Sequence, residues 1–170
     1  MNYEINGNLK EEKNFFSFFE WVSNTLNFFT KTFGKRVMNK IEVYIDNATD
    51  NSGYTPVTTL ALKKYIFIKL GIHDFGKKEQ IVYQFSHELC HAVFYALYGI
   101  KPRQISSFEE TICSAMSLIV LKEFFPDHLE YWISYVRNLE NPDYQNGVVL
   151  ASYLQFDIFR LKEEMKKLKL

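Results

Sequence analysis

Apolar residues change their spacing several times along the chain, and each spacing implies an element. From Leu9 to about Thr32 they recur at threes and fours (Phe15, Phe16, Phe19, Val22, Leu26, Phe29), the repeat of an amphipathic helix, and Gly34 closes the segment. Lys40 to Asp46 alternates instead, setting Ile41, Val43 and Ile45 against polar neighbours, as a half-buried strand does. The turn-rich run NATDNSGYTP breaks regular structure. Beyond it VTTLAL (Val57 to Leu62) and YIFIKL (Tyr65 to Leu70) read as two more strands around the Lys63-Lys64 pair. A small antiparallel sheet is expected from these strands.

Gly71 and Gly76 interrupt the pattern, and a helix is expected from Lys78 to Tyr98, ended by Gly99. Ser106 or Ser107 can cap a further helix running to about Phe125, where Pro126 stops it. Asp127 with Glu130 three residues later has the spacing of a capping box and opens a helix to about Leu139. The loop NPDYQNG then leads into a last helix, Val148 to Lys167. With no repeat, no low-complexity tract and no linker composition, these elements predict a single α+β domain over residues 1–170.

Composition narrows the class without naming a function. Apolar residues make up 47% and charged residues 24%, so the chain can bury a core. Lys plus Arg equals Asp plus Glu at 20 each, and no basic stripe interleaves with aromatics, so nucleic acid is not an expected partner. No basic leader followed by an apolar run occurs, nor an uncharged stretch of about 18 residues, so the expectation is a soluble, cytoplasmic protein with no membrane partner. Cys90 and Cys113 are too few for a disulfide framework and read as free thiols.

Chemistry concentrates in YQFSHELCHAVF, Tyr83 to Phe94, on the helix expected from Lys78. At about 100° per residue, His91 lies only about 40° round from His87, so the two imidazoles share a face and can bind one ion. Glu88 lies about 100° away. A catalytic zinc site takes three protein ligands and a water, so a third ligand is required. His73 precedes the helix in a turn and His128 opens a later one, which suits neither. Glu109 and Glu110 are better placed, near the start of the next helix. Ser106 with Glu109 and Ser107 with Glu110 both have capping spacing, and with Ser106 as the cap, Glu110 is the carboxylate left for metal. Cys90, about 60° from His87, reads as a packed thiol before a fourth ligand.

HELCH followed after 18 residues by Glu110 resembles the gluzincin zinc peptidases, a group that includes thermolysin-like enzymes and the small ImmA/IrrE-type proteases. The likeness runs from about Tyr65 to Phe125. It implies a zincin-like fold, in which the active-site helix packs on a small sheet, and YIFIKL would be the edge strand that binds substrate in extended form. It also implies zinc held by His87, His91 and Glu110, Ser114 close behind the ligands, and hydrolysis of a peptide or protein substrate with Glu88 as general base. An oxyanion-stabilising tyrosine or histidine is expected too, and Tyr95, Tyr98, His128, Tyr131 and Tyr144 all qualify. The rival expectation is a zinc-stabilised binding or regulatory domain of the same fold without turnover. Peptide deformylase shares H-E-x-x-H but needs a cysteine upstream of the motif, and none precedes Cys90.

Overall fold

The computed structural model describes residues 12–47, 56–62, 65–101 and 104–167, and the segments ATDNSGYT, residues 48–55, and Lys63-Lys64 lie outside them. The chain divides into two compact units, Met1–Pro102 and Arg103–Leu170.

The first unit holds α1 (Glu12–Phe33), α2 (Lys35–Met38), β1 (Glu42–Asn47), β2 (Val57–Ala61), β3 (Tyr65–Leu70) and α3 (Lys78–Tyr98). Helix α1 ends at Gly34, whose φ of 86° suits a residue without Cβ. Its buried stripe is Phe18, Val22, Thr25 and Phe29, whereas Phe15, Phe16 and Phe19 are 36, 60 and 36% exposed. The core face is therefore rotated from the one that the Phe15, Phe16 and Phe19 spacing implied.

The sheet is mixed, not antiparallel. Its order is β1-β3-β2, with β1 parallel to β3 and β2 antiparallel to it. Hence β3 (YIFIKL) is the central strand, paired on both sides, and the expectation that it offers a substrate-binding edge is overturned. Val43, Ile45, Ile66, Ile68 and Leu70 are buried on one face. On the other, Tyr44 stacks on Phe67 with centroids 5.1 Å apart and meets Tyr65 edge-on at 5.5 Å.

Two side-chain amides fix the path from β3 into α3. Asn47 Nδ2 donates to the Ile72 carbonyl at 3.0 Å and its Oδ1 accepts from Ile72 N–H at 2.8 Å, extending the β1 ladder beyond the strand. Gln84 treats Gly71 in the same way: its Oε1 accepts from the Gly71 N–H at 3.0 Å and its Nε2 donates to the Gly71 carbonyl at 3.4 Å. Helix α3 packs against α1, α2, β2 and β3. It is buried almost all round, from Ile81 to Tyr83 and from Phe85 to Ala96, as suits a central helix rather than a two-sided one.

The second unit is helical: α4 (Ser107–Phe124), α5 (Leu129–Arg137), α6 (Pro142–Tyr153) and α7 (Ile158–Lys166). Ser106 caps α4 by accepting from Glu109 N–H at 3.1 Å, as expected. The capping box expected from Asp127 is not formed. Pro126–His128 makes a 3-10 turn, and α5 follows with no side-chain cap. The single last helix expected is two. Asn141 caps α6 with Pro142 in its first turn, left-handed Gln155 and Phe156 break the chain, and Asp157 caps α7. Helices α4 and α6 approach closely at Gly147, which lies against Ser114 and the backbone of Ala115. Ser107 also bonds Asp143 across them. Among the described residues no helix is long and apolar enough to cross a membrane.

Candidate metal centre

The motif residues lie in the buried middle of α3, where His87, Glu88 and His91 are 4, 4 and 2% exposed. One turn of helix brings the imidazoles together: the two Nε2 atoms are 3.3 Å apart and the ring centroids 5.1 Å. Zinc binds histidine at about 2.0–2.1 Å in tetrahedral geometry, which requires neighbouring ligand nitrogens about 3.3–3.4 Å apart. The observed separation fits that edge. Two nitrogen lone pairs facing each other at this distance repel, so either one Nε2 carries a proton and makes a long hydrogen bond, or a cation lies between them.

Glu88 leaves the helix in another direction, toward β2. Thr58 Oγ1 donates to Glu88 Oε2 at 2.8 Å and lies 2.9 Å from the Glu88 backbone carbonyl. Thr58 is buried, the one residue of β2 that is. Nothing in the motif pointed to it. A signal was present, though, because a threonine occupies the inward position of a strand whose outward neighbour, Val57, is apolar and 41% exposed.

Glu109 and Glu110 stand in the first turn of α4, in the second unit; Glu109 is fully buried and Glu110 half-buried. Among the described residues, neither unit by itself gathers three side chains able to hold a metal ion. Ser114 is engaged within its own unit, donating to the Tyr144 carbonyl at 3.0 Å. Cys90 and Cys113 are buried and form no disulfide. His73 and His128 are exposed.

The oxyanion candidates are dispersed. Tyr95 is buried in α3, and Tyr98 stacks on Phe94 with centroids 6.0 Å apart. Burial raises the Tyr98 phenol above its ordinary value of 10.0. In the second unit Tyr131 is 67% exposed, and Tyr144 is half-buried at the start of α6.

Compared with known proteins, the chain matches no family model, and no curated protein or solved structure matches it significantly.

Proposed function

We propose that this chain is a zinc-dependent peptidase of gluzincin type, in which His87, His91 and Glu110 hold the metal and Glu88 is the general base. The observation that carries the reading is the 3.3 Å separation of the His87 and His91 Nε2 atoms, the edge length of a tetrahedral zinc site. Two imidazoles and a carboxylate form a donor set that suits zinc. Bound there, zinc supplies Lewis acidity, polarising a peptide carbonyl and making water a stronger acid.

Glu88 stands next to His87 in sequence but reaches toward β2, so it acts as a base and not as a ligand. Its carboxylate accepts the proton of the attacking water and delivers it to the amine as the peptide bond breaks. Among the described residues β2 is an outer strand, joined to that carboxylate by Thr58, and it takes over from β3 as the strand along which an extended peptide would lie. Backbone pairing on such an edge binds peptides with little regard to side chain.

A second reading, a metal-holding binding domain without turnover, draws support from the burial of Glu88 at 4% and its bond to Thr58, which also suit a purely structural carboxylate. Incubating the zinc-loaded protein and its Glu88→Gln variant with a diverse peptide library separates the two. Cleavage by the wild type that the variant loses supports the peptidase; an inert, folded, zinc-loaded wild type rules it out.

A further inference from the structure

We infer that Thr58 is a positioning residue for Glu88, an inference that rests on the peptidase reading. A threonine hydroxyl has one hydrogen, and here both acceptors within its reach belong to the same residue, Glu88 Oε2 at 2.8 Å and the Glu88 carbonyl at 2.9 Å. The hydroxyl therefore ties the end of the side chain to its own backbone and fixes the rotamer of a flexible residue. Among the described residues Thr58 is the carboxylate's one hydrogen-bond donor, which leaves Oε1 open for the proton.

Thr58 is itself held rigidly. It sits in β2 opposite Ile68 of β3, is 7% exposed, and its β-branched side chain has few rotamers on a strand. Among the described residues the same strand is an outer strand of the sheet. A peptide pairing along β2 would then dock on the element that aims the base, so substrate register and base position are set by one strand. A general base works only within hydrogen-bond reach of the proton it takes, and a misplacement of about 1 Å costs about 100-fold.

The test uses Thr58→Val, which keeps the shape and removes the hydroxyl, beside Thr58→Ser, which keeps the hydroxyl. Thr58→Val should lower kcat by about 10- to 100-fold with KM within about twofold and zinc content unchanged, and Thr58→Ser should restore most of kcat. A Thr58→Val enzyme within twofold of wild type, or a loss that Thr58→Ser does not restore, overturns the inference. Urea midpoints of wild type, Thr58→Val, Glu88→Ala and the double variant test the contact independently of turnover. Non-additive shifts uphold it and additive shifts overturn it. If the wild type cleaves nothing, the peptidase reading fails on its own, and these midpoints still decide whether Thr58 holds Glu88.

Discussion

Replacing Gly147 with alanine probes the contact that packs α6 onto α4. An added Cβ would overlap Ser114 Cβ and Oγ and come within 3.0 Å of the Ala115 backbone nitrogen. Backbone cannot rotate away, so the helices must separate, an overpacking that costs about 1–3 kcal/mol. Separation also strains the bond from Ser114 to the Tyr144 carbonyl, 3.0 Å long, which contributes about 1 kcal/mol. Against this, alanine favours a helix over glycine by about 1 kcal/mol. The net expectation is a loss of about 1–3 kcal/mol. At about 2–4 °C per kcal/mol for a protein of this size, the melting temperature should fall by about 2–12 °C. Thermal unfolding followed by circular dichroism reads this directly. A melting temperature equal to or above that of wild type, as expected of glycine on an open helix face, would refute the close approach.

Three further outcomes follow from single features. Asn47→Ala strips both partners from Ile72 and should cost about 2–4 kcal/mol in urea unfolding, and a loss below about 0.5 kcal/mol would contradict the amide clamp. Gln155 has a φ of 59° outside any glycine, so Gln155→Gly should raise stability by up to about 1 kcal/mol; a lower melting temperature would argue against strain there. Because burial raises the Tyr98 phenol in the folded state, the stability it contributes is complete below pH 10.0, the ordinary value, and is lost as pH rises toward the folded value. Tyr98→Phe should flatten that alkaline loss in unfolding measured across the range, and an unchanged profile would count against it.

How far the sequence was legible depended on how local the determinant was. The bounds expected for Tyr65 to Leu70 and for Lys78 to Tyr98 coincide with β3 and α3, because period and glycine punctuation are local properties. Strand order is not local. Three alternating segments look alike whether parallel or antiparallel, so nothing in the pattern of YIFIKL distinguishes an edge strand from the central one that β3 is. In FFSFF, Phe15 to Phe19, four aromatics cover most of the helix circumference, and only packing selects Phe18 as the buried one. The last helix was divided by Asp157, an ordinary N-cap, after two left-handed residues that are not glycine and so gave no warning.

At the centre itself, the shared face of His87 and His91 followed from helical geometry alone. The role of Thr58 did not, since it depends on which strand β3 takes as its neighbour.

The central claim is a zinc centre built on His87, His91 and Glu110, and metal content per chain tests it most directly. Elemental analysis of purified wild type, His87→Ala and Glu110→Ala, each verified as folded, should give about one zinc per wild-type chain and a loss in both variants. A folded wild type that takes up no zinc when supplied with it would contradict the account and reduce HELCH to one face of a buried helix.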